Sequence, residues 1–241
     1  MSSVSPQRPR ASVYIDGFNL YHGCFDDHRL RADWRQYRWL DLGTFCAKAF
    51  PSYDIRRIRY FTALVNPSPA NPDCRQRQLA YIRALETIPH LSVYLGRFAT
   101  NAKNRPLADP NSRKPKPSAP VQIVRIIEEE EKGSDVNLAS YLLLDGFRQD
   151  YDVAVVISND SDLAEPITMV SRDLGLKVLL VNPRTKVATD LLNIADGYRS
   201  IRLGTLRDSQ FPETFTDANG VITKPASWRS PAVVATLDVP T

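Results

Sequence analysis

From Ala11 onward, short β-branched runs alternate with stretches whose apolar residues recur at helical spacing. Residues 12–15 read as a buried strand. Residues 40–50 read as a helix, with Leu42, Phe45, Cys46 and Ala49 one or two turns apart on one face. Residues 57–65 form a second strand, in which Ile58, Tyr60, Thr62 and Leu64 alternate with Arg59, Phe61 and Ala63. Asn71-Pro72 opens a helix, because proline fits the first turn and asparagine can cap it; Leu79, Ile82, Leu85 and Ile88 point inward until Pro89 ends it. Residues 91–98 and 121–127 read as strands. A helix over 134–147, an apolar strand over 153–158, a helix over 162–174 and a strand over 177–181 follow. A short helix at 189–194 precedes a strand at 200–203.

Strands alternating with helices predict a three-layer α/β/α sandwich around a mostly parallel central sheet. The uninterrupted apolar runs 153–157 and 178–181 fit parallel strands covered on both faces. In such sheets ligands gather beyond the carboxyl ends of the strands, so that edge is where chemistry is expected. Three segments fall outside the pattern. Residues 1–10 are Ser/Pro/Arg-rich and read as disordered. Residues 99–120 carry Lys103, Arg105, Arg113, Lys114 and Lys116 against a single acid, Asp109, and read as a mobile basic insert. Residues 207–241 turn Pro/Thr/Ser-rich and read as a loosely ordered tail, leaving 11–206 as the folded domain.

Composition narrows the classes further. The chain has 241 residues, 43% hydrophobic and 24% charged, which suits one globular domain with tails. Lys and Arg total 31 against 27 Asp and Glu, a net charge of +4 that permits a polyanionic partner without demanding one. Cys24, Cys46 and Cys74 are odd in number and form no Cys-x-x-Cys pair, which argues against a disulfide framework or thiolate zinc site and for a cytoplasmic setting. The N-terminus lacks an apolar signal core, and no apolar run approaches a membrane span.

Aspartates stand at three predicted junctions. Asp16 ends the first strand, Asn159-Asp160-Ser161-Asp162 follows the strand at 153–158, and Asp135 lies in the first turn of the helix at 134–147. Each has a structural explanation: Asp16 as a turn residue, Asp162 with Glu165 as a helix cap, Asp135 as a partner of the helix dipole. Converging on one sheet edge, they would repel one another unless a cation neutralised them, and hard divalent cations prefer such oxygen ligands. His22, His28 and His90 have no metal-ligand spacing. A dehalogenase-type phosphatase would need a second aspartate where Phe18 stands, and no Gly-x-Gly-x-x-Gly supports dinucleotide binding.

The segments Val13-Tyr14-Ile15-Asp16-Gly17-Phe18-Asn19-Leu20, Lys132-Gly133-Ser134-Asp135-Val136, Ser158-Asn159-Asp160-Ser161-Asp162-Leu163 and Gly175-Leu176-Lys177-Val178 resemble the NYN domain, and more narrowly its LabA-like branch, over about residues 11–204. The resemblance implies a PIN-like fold and a ribonuclease site whose metal-binding acids are Asp16, Asp135, Asp160 and Asp162, holding Mg²⁺ or Mn²⁺. Asn19, Ser158 and Asn159 would be neighbouring polar residues. Ser134 stands where the family often has an apolar residue, and the basic insert and the tail lie outside the common core. PIN-like domains often pair through apolar helices, which makes a homodimer one partner expectation, although no stretch here identifies the face.

Residues 29–39 interleave arginines with Trp34, Tyr37 and Trp39, a pattern suited to single-stranded RNA, where cations meet phosphates and aromatic faces stack bases. Arg31, Trp34, Arg35 and Arg38, with Lys103 and Arg105 of the insert and Lys132, are the expected RNA contacts; ordinary packing of the aromatics is the competing explanation. Residues 128–131, all glutamate, read as a solvated edge. The leading expectation is a metal-dependent endoribonuclease, and the alternative is a catalytically silent RNA-binding or regulatory module.

Overall fold

The computed structural model describes residues 7–26, 32–107 and 122–229. Its centre is a six-stranded sheet of β1 (Arg10–Asp16), β2 (Asp54–Thr62), β3 (Leu91–Leu95), β6 (Val153–Ile157), β7 (Lys177–Asn182) and β8 (Gly197–Ser200). The strand order is β3-β2-β1-β6-β7-β8, with every neighbouring pair parallel. Strand alternation divides the core in two. Val13, Ile15, Val155 and Ile157 face one layer, while Tyr14, Ala154 and Val156 face the other.

The first layer is covered by α1 (Gly17–Cys24), α2 (Leu42–Ala49), α3 (Cys74–Leu85) and α7 (Leu203–Arg207), through Leu20, Phe45, Leu85 and Leu206. The second is covered by α4 (Ser134–Phe147), α5 (Ala164–Thr168) and α6 (Thr189–Leu192), through Leu138, Ile167 and Leu191. The expected three-layer sandwich is the one the chain adopts. The helix expected over 162–174 is built in pieces: a 3₁₀ turn at Ser161–Leu163, then α5, then a π-helical turn at Met169–Asp173.

On the second layer lies a buried polar network that sequence patterning did not reveal. The Asp145 carboxylate, fully buried on α4, accepts from Tyr14 Oη at 2.7 Å and from Arg59 Nε and Nη2, both at 2.8 Å. The Arg59 guanidinium also stacks over Tyr141 at 4.3 Å. A forked guanidinium with two parallel bonds satisfies a carboxylate that could not otherwise be buried.

Three boundaries differ from the sequence reading. Arg10, assigned to the disordered N-terminus, begins β1 and pairs with Asp152 at 2.7 Å; residues 1–6 lie outside the described residues. The first part of the insert is strand: β4 (Arg97–Pro106) pairs antiparallel with β5 (Ile123–Lys132), while residues 108–121, including Arg113, Lys114 and Lys116, lie outside the described residues. Its described cations, Lys103 and Arg105, are paired, as is Lys132 at the end of β5. Lys103 pairs with Glu128 at 2.9 Å and also with Glu130, Arg105 pairs with Glu128 at 2.7 Å, and Lys132 pairs with Glu130 at 2.7 Å. The glutamate run read as a solvated edge supplies the counter-charges across the ladder.

The tail expectation also gives way. Residues 207–229 form a hairpin of β9 (Thr214–Asp217) and β10 (Gly220–Thr223) and a final 3₁₀ turn at Ala226–Trp228. Phe211, Ile222 and Trp228 join the first core layer, where the Trp228 ring lies 6.2 Å from that of Trp39. Arg83 of α3 grips Asp217 with two bonds of 2.9 and 2.6 Å. The folded unit therefore runs past 206 to 229. Residues 230–241 lie outside the described residues.

Candidate active site

The chain enters the sheet at its middle. After β1 it builds outward to β2 and β3, then returns to the other side of β1 for β6, β7 and β8. The switch point of an open α/β sheet is thus the crevice beyond the carboxyl ends of β1 and β6. Asp16 is the last residue of β1, and Asp160 follows β6 by three residues.

The two are joined through Ser158. Its Oγ donates to Asp16 Oδ2 at 2.9 Å and accepts from the Asp160 backbone N–H at 3.1 Å. Asp16 also caps α1, accepting from Asn19 N at 2.9 Å and from Asn19 Nδ2 at 2.6 Å. Asp160 caps the following 3₁₀ turn by accepting from Asp162 N at 3.0 Å, so the cap expected of Asp162 belongs to Asp160. Asp162 itself is exposed.

Asp135 arrives from the opposite layer. Gly133 adopts φ +101°, a left-handed conformation that suits glycine, and turns the chain from β5 straight into α4. Glu131 fixes the start of that helix by accepting from Ser134 N at 3.0 Å and Ser134 Oγ at 2.6 Å. Partial burial pushes the Asp135 carboxyl up to about 7, and the charges of Asp16, Asp160, Glu131 and Asp162 add to the rise. Burial also raises Asp16, against the bonds from Asn19 and Ser158 and with help from Asp160. Among the described residues no basic side chain pairs with any of these four aspartates.

The surrounding polar residues hold the neighbouring loop. Asn159 Oδ1 accepts from Ala188 N at 2.8 Å, and Asn19 Oδ1 accepts from Arg184 Nε at 3.2 Å. A side chain at Gly23 would meet the Pro183 carbonyl at 2.9 Å, so glycine lets α1 press against the loop that follows β7. Arg184 and Lys186 of that loop, with His22 and Asn159, line a cavity of about 410 Å³ beside the acids. Arg184, Lys186 and Glu131 were not among the residues expected from sequence. The loop after β7 ends at the same sheet edge as Asp16 and Asp160, and that placement is the signal that could have found its cations.

Of the expected RNA contacts, Arg31 lies outside the described residues. Trp34 and Tyr37 pack against the first core layer and Trp39 is wholly buried, so the aromatics of that stretch serve packing. Arg38 donates to the Arg35 carbonyl at 2.7 Å and lies 5.7 Å over the Trp228 ring. Lys103, Arg105 and Lys132 are engaged by the glutamates of β5.

The chain matches the NYN domain over residues 10–202, which spans the central sheet and every acid of the cluster. The protein belongs to the NYN domain family. NYN domains share the PIN-like fold, and the family is nucleic-acid-related and generally ribonuclease-like. A curated relative from Pseudomonas putida (strain DSM 28022 / S16), 6-hydroxy-3-succinoylpyridine 3-monooxygenase HspA, is 30% identical over 91% of this chain and 75% of its own length. A crystal structure of a protein of unknown function, VPA0982 from Vibrio parahaemolyticus RIMD 2210633, is similar with a TM-score of 0.50 and 18% identity. That similarity covers 82% of this chain and 96% of that one and shows the shared fold. No helix among the described residues is long and apolar enough to cross a membrane.

NYN and PIN-like nucleases typically use divalent metal ions. The donors here fit such an ion in kind: carboxylate oxygens, with Asp135 raised by burial and by its acidic neighbours and, among the described residues, no base paired with them. Among the described residues no three Asp, Glu, His or Cys side chains stand as a preformed ligand set, so loading an ion requires them to draw closer.

Proposed function

We propose that this NYN domain, of the LabA-like branch, is a cytoplasmic endoribonuclease that hydrolyses single-stranded RNA with Mg²⁺ or Mn²⁺ held by Asp16, Asp135, Asp160 and Asp162. The observation that carries the reading is the Ser158 relay, which ties the Asp16 carboxylate at the end of β1 to the Asp160 backbone just beyond β6, at the switch point. Such a metal, when bound, polarises a phosphoryl oxygen and lowers the pKa of a water. Asn19 and Ser158 hold Asp16 in one orientation through three hydrogen bonds. Asp135, near neutrality, can hold or release a proton at its carboxyl oxygen. Arg184 and Lys186 line the adjoining cavity and are placed to take backbone phosphates.

Asp16→Asn and Asp160→Asn should abolish Mn²⁺-stimulated cleavage of a single-stranded RNA while circular dichroism stays that of the parent. Cleavage equal to the parent's would reject the site. RNA retained without product and unaffected by EDTA would make this a silent RNA-binding module instead.

The curated relative sets a second reading, an oxygenase acting on a pyridine ring that carries an acidic chain. It is favoured by an aromatic cavity of about 330 Å³ that abuts Gly17 and Phe18. Transfer of ¹⁸O from O₂ into 6-hydroxy-3-succinoylpyridine, with a reduced nicotinamide as two-electron donor, would establish it.

A further inference from the structure

The cavity of about 330 Å³ on the first layer opens between α1, α3 and the C-terminal turn that carries Trp228. That volume lies at the small end of pockets that enclose low-molecular-weight ligands, roughly 300–1,000 Å³. Phe18, Tyr21, Phe25, Tyr60, Tyr81 and Trp228 supply its aromatic walls. Two cations, Arg38 and Arg77, line it with them. One acid, Asp26, lines it too, in contact with His22 at 3.0 Å, so two guanidiniums face one carboxylate and the balance is positive.

Both arginines keep donors to spare. Arg38 uses Nε on the Arg35 carbonyl and Nη1 on Tyr21 Oη, and Arg77 uses Nη2 on Asn71 Oδ1. A guanidinium has five N–H donors, so most of each fork remains for a ligand. The amides that could read the edge of a nucleobase are partly engaged by the protein. Gln78 accepts from Val65 N and donates to the Ala63 carbonyl, Asn71 Oδ1 accepts from Arg77, and Asn66 Nδ2 donates to Glu129. What the cavity offers most is ring stacking and anion pairing.

We infer that this cavity is a binding site for a small planar aromatic molecule bearing a carboxylate, its ring held among the aromatic walls and its anion by Arg38 and Arg77. The inference rests on the second reading above for its ligand class, an aromatic ring with an acidic chain, and is separate from the nuclease reading of the aspartates.

Isothermal titration calorimetry of the full chain with 3-phenylpropionate tests it, alongside 3-phenylpropanamide, which lacks the charge, and 3-cyclohexylpropionate, which lacks the planar ring. The acid should bind saturably at one site, and both analogues should bind about tenfold more weakly or worse. Arg77→Met should lose at least about tenfold, with Arg77→Lys recovering part of the loss. Val65→Trp, which fills the cavity and leaves both arginines in place, should abolish binding. Asp16→Asn should bind normally, which separates this site from the nuclease reading. Equal binding of the three probes, no effect of Arg77→Met, or no saturable heat overturns the inference. So does tighter binding of uridine 5′-monophosphate in competition with the acid, which would make the cavity a base pocket.

Discussion

Asp135 is the acid of the cluster displaced by its surroundings to a value near neutrality. Its carboxyl sits at about 7, well above the ordinary value of about 3.9, because burial and four neighbouring acids disfavour its charge. An acid raised in this way stabilises the fold while protonated in the native state, and the stabilisation is lost as pH rises through the folded-state value. The metal-free chain should therefore lose thermal stability between about pH 4 and the Asp135 value of about 7. Asp135→Asn should flatten that part of the melting-temperature profile, and saturating Mn²⁺ should raise the high-pH end by mass action. Asp145 shows the opposite arrangement, an acid fully buried but matched by Arg59 and Tyr14. Asp145→Asn leaves Arg59 buried without its counter-charge and should cost about 3 kcal/mol or more in urea unfolding. Sequence marked Asp16, Asp135 and Asp160 because each sits at a junction of pattern. It passed over Asp145 because a single acid inside a helical stretch has the signature of any solvated residue.

Periodicity worked wherever an element buries a regular face. β6 and β7 are covered on both sides and show it as unbroken apolar runs; α4 shows it through Leu138 and Leu142. It found the first half of β5 but missed most of β4 and the glutamate half of β5, whose residues are mostly exposed or half-exposed and whose stability is shared between strands. Read singly, one strand is a basic polar run and the other an acidic one, and only their pairing reveals the neutralisation of Lys103 and Arg105. Exposed pairs of this kind are screened by solvent and add little, so the glutamates matter more for the charge they cancel than for stability. The C-terminal hairpin escaped for a related reason: it contributes isolated large residues, Phe211, Ile222 and Trp228, with no repeat to mark them.

Those isolated residues complete the core of the entire molecule. Trp39, wholly buried, touches Phe211, Phe215 and Trp228 and donates from Nε1 to the Pro212 carbonyl at 2.9 Å. A chain ending at 206 would open that layer to water, and losing one aromatic of this kind costs roughly 3–5 kcal/mol. Truncation at 206 should abolish the cooperative thermal transition, whereas truncation at 229 should preserve it; calorimetry of the two distinguishes them. The order of strands was open to sequence only in outline. Alternation implies a parallel sheet, but the placement of β1 between β2 and β6, which creates the crevice, depends on crossovers that no local pattern encodes.

One joint links these levels. A single residue, Gly133, separates the end of the outlying β4/β5 ribbon from the helix that bears Asp135. The ribbon and the acid therefore share one pivot, like a handle and its blade. The same turn sets both the direction in which the ribbon leaves the domain and the point at which the helix bearing Asp135 begins.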